Sequence, residues 1–228
     1  MDPKRALRHV LWIGGPPDCG KTTIADLLAA RHDLDVYHFD RCERDHIRRA
    51  DPVLHPALYR FGRQLAELDD RSFLEWAWVH PTPREMAEHT IACWSERVAL
   101  AIEDLLARPR DRLIIAEGPG FFPAVVLPLI ATLHQAIWLV PTADFQRTSH
   151  ARRHKGEHRA AILSNPQHAN RQHIARDMLL AEHYHASARA LGLPIIEVDG
   201  SQPPEDVATR VERHFAPMLS ARPGERQP

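Results

Sequence analysis

The sequence predicts an α/β fold with a five-stranded parallel sheet, and two observations carry this prediction. Short apolar runs alternate along the chain with longer helical segments, which is the order that parallel strands joined by crossover helices require. The apolar runs are also continuous, as expected for strands covered by helices on both faces. The predicted strands are His9–Gly14, Asp35–Phe39, Arg112–Ala116, Ala136–Val140 and Pro194–Val198.

Helices with recognisable ends fill most of the intervals between these strands. They are predicted over Thr22–Arg31, Arg84–Ala107, Pro166 to about Leu191, and Pro204–Phe215, with prolines at several starts and Gly192 after the third. About 70 residues separate the second and third strands, far more than a normal crossover needs. We therefore expect residues 41–110 to form a helical insert at the carboxyl edge of the sheet, where α/β folds bind their ligands.

Composition limits the classes of partner. The chain has 228 residues and a formal net charge of −1, so no bulk basic field attracts nucleic acid or an anionic membrane. No apolar run approaches the roughly 20 residues of a membrane helix, and residues 1–9 lack the apolar core of a secretory signal. Three cysteines without metal-ligand spacing indicate reduced thiols. We expect one cytoplasmic domain over residues 1–228, as a monomer or homodimer.

The loop after the first strand carries the most specific motif. It fits the pattern G-x-x-x-x-G-K-[ST] and is followed by Thr23. Its lysine is one of only three in the chain, against 26 arginines. An apolar strand precedes the motif and a helix follows it, as a phosphate-binding loop requires. The residues expected to bind nucleotide here are Gly15, Pro16, Pro17, Asp18, Cys19, Gly20, Lys21, Thr22 and Thr23.

Each part of this loop has a chemical purpose. Glycines let the backbone wrap a phosphate with its N–H groups pointing inward, and the following helix adds its positive amino end. Lys21 is expected to bridge the β- and γ-phosphates, and Thr22 to offer its hydroxyl to Mg²⁺. Cys19 is expected to contribute its backbone only. The prediction is a three-layer α/β/α P-loop NTPase that binds ATP, with GTP as the alternative.

Two carboxylates follow predicted strands, Asp40 after the second and Glu117 after the third. We expect both strands to flank the first, so that both side chains point at the γ-phosphate. A phosphotransferase needs one carboxylate beside the attacking hydroxyl and another on the metal side. Asp40 is assigned as the base and Glu117 as the metal-side acid, and an exchange of these roles stays open. The alternatives are a helix cap and a surface acid.

Arginines follow the fourth strand. Arg147, Arg152 and Arg153 are the preferred candidates for a lid over residues 144–176, because a guanidinium binds phosphate oxygens in a bidentate manner. The alternative is a solvated basic helix face. Asp199, Gly200 and Ser201 follow the fifth strand, where they would border the nucleotide base or simply form a turn.

A family resemblance rests on three segments. Residues Gly15–Thr23, Tyr37–Arg41 and Ile114–Gly118 resemble those of P-loop small-molecule kinases. The Ile-Ile-x-Glu-Gly pattern is similar to the uridine kinase and phosphoribulokinase group, and the Phe-Asp pair to chloramphenicol phosphotransferase and zeta toxins. Two further segments, 117–123 and 138–142, look like uncharacterised actinobacterial-style P-loop proteins. The resemblance spans roughly residues 9–215 and implies that Asp40 acts as the base toward a substrate hydroxyl.

The expected activity is therefore Mg²⁺-dependent transfer of the γ-phosphoryl of ATP to a hydroxyl of a nucleoside, sugar or antibiotic. A 5′-hydroxyl polynucleotide kinase is one alternative, since Asp40 with Arg44 or Arg48 weakly resembles its aspartate–arginine pair. A regulatory NTPase acting on a protein partner is another. In the insert, Trp76 and Trp78 would stack a flat substrate or belong to a core.

Three further features lead to expectations. Asp69 and Asp70 are expected either to bind a cationic substrate or to lie at a helix end. Phe121 and Phe122 are expected to lie near the substrate cleft. His150, His154 and His158 are interpreted as a solvated row.

Overall fold

The computed structural model describes residues 2–152 and 162–220. It confirms the predicted α/β architecture: five parallel strands form one sheet in the order β2–β3–β1–β4–β5. The strands are β1 Val10–Gly14, β2 Asp35–His38, β3 Ile114–Glu117, β4 Ala136–Pro141 and β5 Ile195–Val198.

Helices cover both faces of this sheet. In chain order they are α1 Pro3–Ala6, α2 Lys21–His32, α3 Glu43–Arg49, α4 Pro56–Glu67, α5 Asp70–Trp78, α6 Pro83–Leu106, α7 Pro123–Val126, α8 Ala143–Arg152, α9 Pro166–Ala190 and α10 Pro204–Ser220. Short 3₁₀ turns lie at Asp40–Cys42, Leu127–Leu129 and Leu133–Gln135. None of the helices in the described ranges has the length and apolar character needed to cross a bilayer.

Two apolar cores explain the continuous hydrophobic runs. Successive strand residues point to opposite faces, so Leu11 and Ile13 pack with α2 and α10, whereas Val10 and Trp12 pack with α6 and α9. Every residue of β1, β3 and β4 is buried. The three layers follow directly, because a strand buried on both sides cannot alternate with polar residues.

The sheet order corrects one expectation. The second strand does not flank the first: β3 lies between them, pairing with β1 on one side and β2 on the other. The polar character of β2 explains its place, since Asp35 is exposed and an edge strand tolerates exposure. Only Glu117 therefore lies at the end of a strand adjacent to β1, and Asp40 lies one strand further away.

The predicted insert is helical and is tied to the sheet by α6. Helix α6 begins at a capping box in which Thr82 and Glu85 exchange hydrogen bonds, a strong start signal. Further along α6, the Glu96 carboxylate accepts the N–H groups of Ala57 at 3.1 Å and Leu58 at 2.8 Å. These bonds hold the first turn of α4 against α6. Asp69 caps α5 through the Ser72 N–H, so the helix-end interpretation of Asp69 is the one observed.

Close packing at the ends of β2 and β3 yields a stability prediction. A Cβ added to Gly118 would lie 2.3 Å from the Phe39 Cβ, and the buried Phe39 ring has no room to retreat. We expect Gly118→Ala to lower the free energy of unfolding by about 2 kcal/mol in urea denaturation. Gly192→Ala is the control, because its Cβ meets no atom within 4 Å. Only the positive φ at this position should destabilise the variant, by about 1 kcal/mol. Equal losses for the two variants would contradict the steric explanation.

Candidate active site

The loop between β1 and α2 has the backbone of a phosphate cradle. Gly15 has φ +141°, and a Cβ there would lie 2.1 Å from the Leu139 carbonyl oxygen, so only glycine fits. Gly20, at φ +83°, precedes α2, and no side chain within the described residues caps this helix. The first N–H groups of α2 are thereby left for an anion, which the helix dipole also favours.

Lys21 folds back onto the same loop. Its buried Nζ donates to the Pro16 carbonyl at 2.7 Å and lies 3.5 Å from the Cys19 Sγ. The Cys19 thiol donates to that same carbonyl at 3.0 Å, so its side chain, expected to be passive, braces the loop. Burial raises the pKa of Cys19 above its ordinary value, which keeps the thiol protonated and able to donate.

A line of polar groups crosses from α2 to β2. The Thr22 hydroxyl donates to Glu117 Oε2 at 3.2 Å, and the His38 Nδ1–H donates to Glu117 Oε1 at 2.9 Å. The other His38 nitrogen lies 3.6 Å from Asp26. Both oxygens of the buried Glu117 are therefore oriented. The structure thus brings Thr22 and Glu117 together and adds His38, which the sequence interpretation missed although His38 and Glu117 are register partners.

Asp40 lies just beyond the junction of β2 and β3. The Phe39 N–H donates to the Glu117 carbonyl at 3.0 Å, and the Phe39 ring packs on Gly118 and Gly120. Asp40 then opens a short 3₁₀ turn, with its side chain exposed on the wall of a cavity of about 910 Å³. Its carboxylate therefore borders the cavity that residues of the helical insert line.

A buried arginine, also missed from the sequence, holds this junction. Arg97 of α6 is 1% exposed. Its guanidinium donates to the Phe39 carbonyl at 2.7 Å and to Glu43 at 3.2 Å, and lies 4.1 Å from the centroid of the Phe39 ring. Burial lowers the pKa of Arg97, while Glu43 and Asp40 oppose that shift. The backbone directly before Asp40 is thus fixed by a charge that Asp40 itself helps to balance.

Cys42, His46 and Asp104 lie close enough together to form a metal site, but the position of the ring proton on His46 argues against metal binding there. The Arg97 Nε–H points at His46 Nδ1 at 3.4 Å, so His46 Nε2 carries the ring proton and donates to Asp104 at 3.0 Å. The Nδ1 lone pair then accepts the Arg97 hydrogen bond and Nε2 is protonated, so neither ring nitrogen is free to bind a metal. Burial lowers the pKa of His46, which favours this neutral form. The cluster connects Asp104 through His46 to Arg97 and so supports the Asp40 junction.

The predicted lid is described only in part. Arg147 is exposed and pairs with Asp144 one turn away on α8, so it does not reach the phosphate loop in this structure. Arg152 ends α8. Arg153, His154 and His158 lie outside the described residues.

The remaining predicted residues have clear positions. The Asp199 carboxylate accepts the N–H and the hydroxyl of Ser201 at 2.9 and 2.6 Å, which makes a closed turn. A Cβ added to Gly200 in this turn would lie 2.5 Å from the Phe145 ring of α8, so the turn packs against that helix. Phe121 and Phe122 are buried in the core and do not line the cavity, because the segment after β3 turns inward beneath α9.

No protein-family model and no curated protein matches the sequence. Among solved structures, the chain is similar to shikimate kinase from Acinetobacter baumannii in complex with shikimate, at 15% sequence identity and a TM-score of 0.45. That similarity covers 93% of this chain and 95% of the other.

Proposed function

We propose that this protein is a P-loop phosphotransferase that moves the γ-phosphoryl group of ATP to a hydroxyl of a small molecule. One observation carries the proposal: the exposed Asp40 carboxylate lines a large cavity at the same sheet edge as the phosphate loop. A pure NTPase has no need for a second cavity with a carboxylate on its wall. The insert over residues 41–110 is the acceptor-binding part in this proposal.

The donor nucleotide would occupy the loop between β1 and α2. Lys21 would exchange the Pro16 carbonyl for β- and γ-phosphate oxygens, because a charged partner is stronger than a neutral one. The loop from Gly15 to Thr23 supplies N–H groups, and the Asp199–Ser201 turn would border the base. ATP is the expected donor, and GTP is the alternative.

The oxygen donors at the end of the loop fit Mg²⁺. Thr22 Oγ1 and Glu117 Oε2 lie 3.2 Å apart, and hydroxyl and carboxylate oxygens are ligands that this hard cation prefers. Thr22 would bind the ion directly, with Glu117 on the metal side. Bound Mg²⁺ supplies neutralisation of phosphate charge. His38 keeps the Glu117 carboxylate oriented through the 2.9 Å hydrogen bond.

Transfer would join the acceptor oxygen to the γ-phosphorus as the bond from that phosphorus to the ADP oxygen breaks. The acceptor hydroxyl loses its proton to Asp40, and ADP leaves with the bonding electron pair. Arginines from the 144–176 segment, with Arg147, Arg152 and Arg153 as candidates, would close over the phosphates and exclude water. That closure would also move Arg147 away from Asp144.

The test is transfer of label from γ-labelled ATP to a panel of nucleosides, sugars and aminoglycosides. We expect at least one labelled acceptor, and a loss on the order of 100-fold or more in Lys21→Met. Lys4→Met is the control, because Lys4 lies on the exposed helix α1. Brisk hydrolysis that no acceptor alters, with no labelled acceptor, would instead support a regulatory NTPase. Labelling of oligonucleotide 5′ ends alone would support a polynucleotide kinase.

A further inference from the structure

Many of the residues that line the cavity beside Asp40 carry planar rings. The 910 Å³ space lies between α4, α5 and α6 of the insert and one face of α9, a volume typical of small-molecule sites. Apart from the exposed His80, six of its lining residues carry planar rings: Phe61, Trp76, Trp78, His89, Trp94 and His173. All six are half-buried, so part of each ring is covered and part is accessible.

Each of the three tryptophans contacts another ring. Trp78 stacks on His173 with centroids 4.9 Å apart and planes 21° from parallel. Trp76 meets the edge of His89 at 5.7 Å, and Trp94 stacks on the buried Phe122 at 6.2 Å. Aromatic neighbours hold each tryptophan in place, so the cavity offers preformed flat surfaces whose ordering costs little entropy on binding.

The charges in the cavity do not favour an anionic acceptor. Four carboxylates (Asp40, Glu43, Glu85 and Glu88) face three guanidiniums (Arg60, Arg97 and Arg176). Two of the guanidiniums already have acidic partners, since Arg97 contacts Glu43 at 3.2 Å and Arg176 contacts the buried Asp177 at 2.6 Å. At either of these two guanidiniums a substrate carboxylate would have to displace the acidic partner, and the third, Arg60, is exposed; an uncharged molecule displaces no partner.

We propose that the acceptor is a molecule without anionic groups that carries a planar aromatic or heteroaromatic ring, which packs on the tryptophan walls while its hydroxyl reaches Asp40. The proposal rests on the phosphotransferase function for the role of Asp40. A nucleoside and an aryl alcohol share this chemistry. Polyols, sugar acids and aminoglycosides lack the ring.

Binding can be measured separately from transfer. Isothermal titration calorimetry with MgADP filling the donor site would compare thymidine and tyrosol with glucose, gluconate and kanamycin. We expect saturable binding of thymidine, tyrosol or both, and none of the other three. Thymidine alone identifies a nucleoside site, and tyrosol alone an aryl alcohol site.

Matched variants test the walls themselves. Trp76→Leu and Trp94→Leu should each weaken binding of the ring compound about tenfold or more, while Trp76→Phe and Trp94→Phe should restore much of it. The dissociation constant of MgADP should be unchanged in all four, which also shows that they fold.

Binding of glucose, gluconate or kanamycin in preference to the ring compounds would overturn the proposal. So would failure of both ring compounds to bind, or equal binding by the leucine variants and the unmodified protein. A ring compound that binds but is never labelled by ATP would support the ring-binding site and count against the phosphotransferase function.

Discussion

Asp40→Asn is expected to lower the rate of phosphoryl transfer about 10²–10⁴-fold, the usual contribution of a general base. Asparagine keeps the shape of the side chain but cannot accept the proton of the acceptor hydroxyl. The phosphate loop follows β1, and β3 separates β1 from β2 in the sheet. Because Asp40 is not part of that loop, the affinity for ATP should not change. Steady-state transfer to the labelled acceptor and equilibrium binding of ATP are the two measurements.

Asp45→Asn is the matched control for Asp40→Asn. Asp45 is a carboxylate on α3 that pairs with Arg48 and Arg49 and does not line the cavity. Its loss should change the transfer rate less than about threefold. A similarly small effect in Asp40→Asn would remove Asp40 as the base. If Asp40→Asn instead raises the Mg²⁺ requirement and Glu117→Gln abolishes proton transfer, the two carboxylates have exchanged roles.

Arg97→Met is expected to lower the free energy of unfolding by about 3 kcal/mol, because it removes charge-assisted hydrogen bonds from two buried acceptors and leaves one of them without a donor. His46 Nδ1 would lose its donor, the Phe39 carbonyl would keep only the Cys42 N–H at 3.2 Å, and the contact of the guanidinium with the Phe39 ring would be lost as well. Urea denaturation measures this loss. The folded fraction of the variant should also transfer phosphoryl more slowly, because the peptide before Asp40 is no longer held.

Arg112→Met provides the comparison for the Arg97 variant. Arg112 pairs with Asp33 at 2.6 Å, with side chains 52% and 98% exposed, and such surface pairs contribute about 0–1 kcal/mol. Arg97→Lys, which keeps the charge and one donor, should fall between the two in stability. If Arg97→Met is as stable as Arg112→Met and equally active, Arg97 does not support the junction.

The sequence alone determined the features that depend on local signals. The strand cores were visible because burial on both faces demands continuous apolar runs, as in Leu11 and Ile13 of β1. The phosphate loop was visible because its conformation needs glycine at fixed spacing. The start of α6 was visible because Pro83 marks it, and the structure adds the capping box of Thr82 and Glu85. Each of these signals involves residues that are close together in the chain, so a single sequence is enough to recognise it.

Only the tertiary structure decided which of these elements are neighbours. The sheet order separates β2 from β1, places His38 against Glu117, and buries Arg97 behind Phe39, 58 residues away along the chain. It also gathers rings from α4, α5, α6 and α9 around one cavity. A composition with 26 arginines gives no means of singling out Arg97, because its role depends on contacts between distant segments. Long-range packing, which local patterns do not encode, therefore selects the residues that shape the proposed acceptor site.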